Sequence, residues 1–162
     1  MIILPKITLP KISPIIQRSE QVDIYTGADM NYRIVEDIKE MKLDDIVRLL
    51  RMTYWADKRP VERIEKSINN SRCYGLYVDE AESLVGFARI ITDYATNYYL
   101  CDVIIDEDYR HQGLGKALVS HIVSAPELEG LRGILVTKDA QPLYSQYGFE
   151  VVNDRAMFKA AN

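Results

Sequence analysis

Residues 98 to 136 constrain the fold more than any other stretch. An apolar run, Tyr98 to Ile105, leads into the glycine turn Gln112-Gly113-Leu114-Gly115, a helical stretch from Gly113 to Ser124, and a second apolar run, Ile134-Leu135-Val136. Two strands joined through a helix of that length lie parallel, whereas a short link returns the chain antiparallel. Upstream, Cys73 to Asp79 and Leu84 to Thr92 are rich in strand formers and are separated only by Glu80-Ala81-Glu82-Ser83, which is hairpin chemistry. The pattern predicts an α+β chain: a mixed, mostly antiparallel sheet with one parallel crossover, flanked by helices.

The flanking segments fit that frame. Tyr32 to Glu36 reads as a short strand, and Leu43, Ile46, Val47 and Leu50 then recur on one face of a helix. Arg59-Pro60 opens a second helix with Val61, Ile64 and Ile68 as its apolar stripe, closed by Asn69-Asn70-Ser71. Beyond the crossover, Pro142 to Tyr147 predicts a short helix, and Phe149 to Val152 with Ala156 to Lys159 a closing hairpin across Asn153-Asp154. Residues 1 to 29 differ: Leu4-Pro5-Lys6-Ile7 is echoed by Leu9-Pro10-Lys11-Ile12, with prolines too close together for a helix. They read as an N-terminal extension, whether a leader, an arm or the product of an upstream start, ahead of a single domain spanning residues 30 to 162.

Composition narrows the partners. The 162 residues are 48% hydrophobic and 27% charged, enough chain for one sizeable core. A formal charge of −4 offers no global attraction to nucleic acid or an anionic membrane, so neither is expected as a partner. No apolar run approaches the roughly 18 residues of a membrane span, and prolines interrupt any signal-like start, so a cytoplasmic location is expected. Cys73 and Cys101 are too few for a disulfide framework and lack ligand-spaced companions, so no metal is expected.

The turn after Ile105 is an anion site in waiting. Gly113 and Gly115 let backbone approach a phosphate, the first amides of the following helix point at it, and Arg110 and Lys116 add cations. It is neither an ATP loop, which needs Gly-x-x-x-x-Gly-Lys-Ser/Thr, nor a dinucleotide fingerprint, since Leu118 stands where the third glycine belongs.

Arg110-x-x-Gly113-x-Gly115, followed by Leu143-Tyr144-Ser145-Gln146-Tyr147-Gly148-Phe149, resembles the acetyl-coenzyme A signature of the GCN5-related N-acetyltransferases, the GNAT superfamily. The resemblance covers most of residues 30 to 162, with two departures: Glu107 where these proteins often carry Pro, and Thr137 where an Asn commonly helps hold the cofactor. It implies the acyl-CoA N-acyltransferase fold, with acetyl-CoA as co-substrate and an acetyl transfer to a primary amine of a small molecule or protein. It further implies that strands Tyr98–Ile105 and Gly133–Thr137 part so that pantetheine enters between them, Ile104 and Ile105 supplying backbone partners. The pyrophosphate is then expected on the amides of Gln112, Gly113, Leu114, Gly115 and Lys116, beside Arg110.

The chemistry poses two proton problems. An alkylammonium with pKa near 10.4 is neutral only about once in 2,500 molecules at pH 7, roughly 4.6 kcal/mol short of a nucleophile, so a base or water relay helps. The leaving thiolate gains from a donor that stays protonated, which tyrosine does. Tyr144 holds the motif position of that acid, with Tyr147 second. Asp102, a carboxylate inside a strand, and Asp93, at a strand end, are the candidate bases, each with an alternative as a plain structural acid or an ammonium ligand. Tyr54, Trp55 and Arg59 concentrate aromatic and cationic groups where the acceptor is expected, though the rings suit a helix junction equally. Cys101 has no Cys-His-Asp setting and reads as strand packing, which favours direct transfer, and His121 reads as structural. A non-catalytic acyl-CoA sensor or interaction module on the same fold is the alternative, and a homodimer is left open.

Overall fold

The computed structural model describes residues 24–26, 31–79, 81–153 and 155–159. Six strands, β1 (Ile24–Thr26), β2 (Asn31–Val35), β3 (Arg72–Val78), β4 (Gly86–Thr92), β5 (Asn97–Ile105) and β6 (Arg132–Leu135), form one sheet in sequence order. Every neighbouring pair is antiparallel except β5 and β6, which run parallel across the helix α3 (Leu114–Val123). The mixed sheet and its crossover are those read from the sequence. Ile24–Thr26, within the expected extension, pairs with Asn31–Arg33 as an edge strand, and the rest of residues 1 to 29 lies outside the described residues.

Two helices, α1 (Leu43–Arg51) and α2 (Val61–Ile68), cover one face of the sheet. Their stripe residues Ile46, Leu49, Leu50, Ile64 and Ile68 bury against Cys73, Leu84, Phe87 and Ile104. Helix α3 covers the other face, where Leu114, Leu118, Val119 and Ile122 pack on Tyr74, Leu76, Ile90, Tyr98 and Leu100. Each face thus has its own core, the arrangement a sheet with apolar residues on both sides requires.

Strand β5 serves both cores, and a bulge is the reason. Phe87 pairs with Ile104 but Arg89 with Cys101, so β5 holds one residue more than its partner there, and Asp102 takes a left-handed φ of 54°. An extra residue turns the following side chains to the opposite face. Leu100 therefore lies in the α3 core while Ile104 lies in the α1–α2 core.

The far face is stitched by a polar cluster: Arg72 on β3 pairs with both Glu36 and Glu127, and Glu36 also faces His121 Nε2 on α3 at 2.7 Å. Burial favours the protonated Glu36, yet hydrogen bonds and charge from His121 and Arg72 hold its carboxyl down to about 2. His121 is a packing and bridging residue here.

The short helix α4 (Gln141–Tyr144) forms as the sequence suggested. The closing hairpin expected over Phe149–Val152 and Ala156–Lys159 does not: the described residues beyond Phe149 hold no strand, and Val151, Met157 and Phe158 are exposed. Strand propensity expresses packing on a neighbouring strand, and among the described residues these have no such neighbour.

Candidate active site

The site forms where β5 and β6 stop pairing. Their ladder runs from Asn97↔Arg132 to Leu100↔Leu135, after which β6 ends and β5 continues through Cys101–Ile105. Backbone along that edge of β5 is left for another partner, the parting that the family resemblance implied.

At the upper end of this edge sits the glycine turn. Gly113 precedes α3 with φ 83°, a conformation that favours glycine, and no atom lies within 4 Å of where its Cβ would stand. The first backbone bond of the turn runs from Ala117 N to Gly113 O, so the amides ahead of it have no acceptor in the helix. Lys116 is exposed beside them, and its carbonyl accepts from Tyr147 Oη at 2.9 Å, which braces the helix start. Arg110 is exposed and folded back on the loop: its Nε donates to Ile105 O at 3.1 Å and its guanidinium faces Glu107 at 3.4 Å. One carbonyl expected to face a cofactor is thus held by the loop's own arginine. Leu114 and Ile104 are buried and Ile105 half-buried, while Gln112 donates to Asp108 O at 3.4 Å.

The turn is anchored by a pair that sequence reasoning missed. Asp106 is buried, accepts from Asp108 N at 3.2 Å, and is ion-paired with Arg48 of α1, whose other nitrogen donates to Leu84 O at 2.6 Å. The 58 positions between Arg48 and Asp106 hide the pair from inspection of the chain.

At the lower end stands Asp102. Arg59 grips it with two nitrogens, Nη1 to Oδ2 at 2.7 Å and Nη2 to Oδ1 at 3.2 Å. Arg89 Nε donates to Oδ2 at 2.7 Å and Trp55 Nε1 to Oδ1 at 3.2 Å. Burial opposes the charge, but hydrogen bonds and the positive field of Arg59 and Arg89 hold the carboxyl below its usual range. A carboxylate so occupied is a weak proton acceptor and a firm anchor for the three donors. Arg89 was absent from the sequence reading, although a lone arginine in the apolar run of β4 opposite a lone aspartate in that of β5 was the available signal.

Trp55 and Tyr54 stand edge to face at 4.9 Å, both exposed, and Lys138 from the segment after β6 places its Nζ 5.6 Å from the Tyr54 ring centre. The structure therefore brings Tyr54, Trp55, Arg59 and Asp102 together and adds Arg89 and Lys138.

Tyr144 lies in the core on the α3 side, buried and edge-on to Phe149 at 6.1 Å, its hydroxyl pushed up to about 12 by burial. Asp93 is not brought to this site. It occupies the β4–β5 turn, at the opposite end of β5, roughly 25 Å along the strand from the glycine turn. There it caps Thr96, Ala95 and Asn97, bonds that depress its carboxyl strongly. Burial pushes the Cys101 thiol up to about 11, so it is a poor nucleophile at neutral pH.

Comparison with known proteins agrees with this geometry. The acetyltransferase (GNAT) domain model matches residues 69–151, just over half of the chain. An uncharacterized N-acetyltransferase, ycf52, from Gracilaria tenuistipitata var. liui is 31% identical over 114 residues, covering 67% of this chain and 62% of that protein. The histone acetyltransferase TAP1 of Glycine max is 30% identical over 118 residues, covering 65% and 51% respectively. The chain thus spans between half and two thirds of these relatives. A crystal structure from Xanthomonas campestris pv. campestris, described as belonging to the GNAT family, is 35% identical with TM-score 0.74, covering 80% of this chain and 93% of that one. The chain belongs to the GNAT family of acetyltransferases. Among the described residues no helix is long and apolar enough to cross a membrane.

Proposed function

We propose that this protein transfers the acetyl group of acetyl-CoA to a primary amine by direct attack in a ternary complex. The observation that carries the reading is the parting of β5 and β6 directly beneath a glycine-started helix N-terminus. The residues suit the cofactor: an unpaired strand edge for the amides of a pantetheine arm, and open space over Gly113 for a pyrophosphate. Gly113, Leu114, Gly115 and Lys116 would hold the phosphates through backbone, with the Lys116 side chain beside them. When bound, acetyl-CoA supplies an activated acyl group and a thiol leaving group.

Tyr144 keeps a proton on Oη at any physiological pH, as a donor to a departing thiolate must. Asp102 orients Arg59 and Trp55 at the acceptor end rather than serving as base, because its oxygens already accept four N–H groups. Proton removal from the incoming ammonium then falls to water in the exposed mouth.

Thiol release from acetyl-CoA across a panel of amines, beside calorimetric titration with coenzyme A, tests the reading. Release with any amine supports transfer. Cofactor binding with no release across the panel favours the sensor alternative, and no binding overturns the assignment of the turn.

A further inference from the structure

Charge at the acceptor end is out of balance. Two guanidinium groups share one carboxylate at Asp102, with side chains exposed by only 20% at Arg59, 11% at Arg89 and 3% at Asp102. Burying a cation without a full counter-charge is unfavourable, and such sites gain most from an incoming anion. The two arginines differ in how much of their donor capacity is spent. Arg89 divides itself between Asp102 and Ser71 Oγ, at 3.0 Å. Arg59 uses one N–H each of Nη1 and Nη2 on Asp102, and its remaining N–H groups meet no acceptor among the described residues.

Around that arginine the walls are aromatic and cationic. Trp55 touches the same carboxylate, Tyr54 leans edge-on against Trp55, and Lys138 stands over Tyr54. Lys138 is exposed and makes no ion pair among the described residues, and neither Asp57 nor Asp139 is ion-paired to this cluster. The sole buried carboxylate of the group is fully spent. A polycationic acceptor would find like charge on Arg59 and Lys138 here, with the one buried carboxylate already occupied.

We infer that the acceptor is an amine that carries its own anion, a carboxylate or a phosphate, received by Arg59 in the orientation fixed by Asp102, with Lys138 as the outer counter-charge. The inference rests on the acetyl-transfer reading and narrows its acceptor. Guanidinium suits either anion, because its forked N–H groups match two oxygens at once. Asp102 is a positioning residue in this scheme and does not touch the substrate.

The test uses matched acceptors with the full chain and acetyl-CoA: ethanolamine against O-phosphoethanolamine, and propylamine against 4-aminobutanoate, with spermidine and a lysine-rich peptide as cationic competitors. The anionic member of at least one pair is expected to lead in kcat/KM by about tenfold or more, and the pair that does so identifies the anion. Arg59→Gln should collapse that ratio toward one through KM. Lys138→Met, on an exposed segment where folding is not at stake, should lower it about threefold. Preference for the neutral or cationic acceptors, or a ratio unmoved in both variants, overturns the inference.

Should no amine turn over, the single tryptophan gives a second readout. With coenzyme A saturating, a Trp55 fluorescence change on adding O-phosphoethanolamine or 4-aminobutanoate, and not their neutral partners, supports the inference. No response to either overturns it. Coenzyme A binding with this outcome leaves the transferase fold assignment standing, whereas failure to bind coenzyme A removes both readings.

Discussion

Arg59, one residue ahead of Pro60 at the N-cap of α2, and Asp102, inside the bulge of β5, meet fork to fork across 43 positions of sequence. Removing one partner of such a pair leaves the others uncompensated. Asp102→Asn keeps the shape but leaves Arg59 and Arg89 without their anion, and is expected to cost about 2 to 4 kcal/mol. For a chain of this size that lowers Tm by roughly 10 °C, measurable by calorimetry. An unchanged Tm would show the pair to be energetically idle.

Tyr144→Phe should lower kcat at least about tenfold and leave the coenzyme A dissociation constant nearly unchanged, because it removes a proton and no binding contact. The pH profile adds a separate check. A group held near 12 in the folded protein stays protonated up to that pH, so no fall in kcat from Tyr144 ionisation should appear between pH 7 and 10. A descending limb in that window that vanishes in the variant would contradict the burial of its hydroxyl.

Gly113 and Gly115 should respond differently. At Gly113, φ 83° makes a β-branched residue strained, so Gly113→Val costs about 1 to 3 kcal/mol of stability as well as coenzyme A affinity. A Cβ at Gly115 would stand 3.7 Å from Ile105 Cγ1, ordinary contact, so Gly115→Val should spare Tm and weaken only coenzyme A binding. Thermal melts and calorimetric titrations of both variants separate the two effects.

Gly133 on β6 is a packing requirement. A Cβ there would stand 2.5 Å from Tyr98 Oη and 2.8 Å from Phe149 Cε1, two rings set edge to face at 6.4 Å. Gly133→Ala is expected to destabilise by about 1 to 3 kcal/mol through overpacking, and Gly133→Ala with Tyr98→Leu to recover part of it. Denaturant midpoints for the single and double variants test this.

Acid should loosen the far face of the sheet through Glu36. Its folded pKa, about 2, lies below the ordinary 4.5, so its contribution is present above pH 4.5 and is lost as pH falls toward 2. The shift is worth on the order of 3 kcal/mol, and Glu36→Gln should flatten the stability–pH curve below pH 4.5. An identical slope in the variant would assign acid lability elsewhere.

The antiparallel hairpin, the crossover and the glycine turn were legible because each is written in contiguous residues: alternation, link length, and the Gly113-x-Gly115 pair ahead of an apolar helix. Asp102 and Arg59 were singled out, but not their pairing, and Arg89 and Arg48 not at all. Those contacts join positions 13 to 58 residues apart, and local pattern holds no record of them. The bulge escaped for a related reason. Burial in β5 alternates without a break from Asn97 to Ile105, so the sequence looks like an unbroken strand even though the buried side changes face at Asp102. Asp93 and the closing hairpin show the reverse case: composition suits a role, but the fold commits Asp93 to capping the β4–β5 turn and, among the described residues, sets no strand beside those after Phe149.

The Arg48–Asp106 pair has a mechanical meaning. Helix α1 ends just before Tyr54 and Trp55, and its middle is tied to the residue from which the glycine turn departs. The two ends of the cleft are consequently carried on one stiff piece of protein.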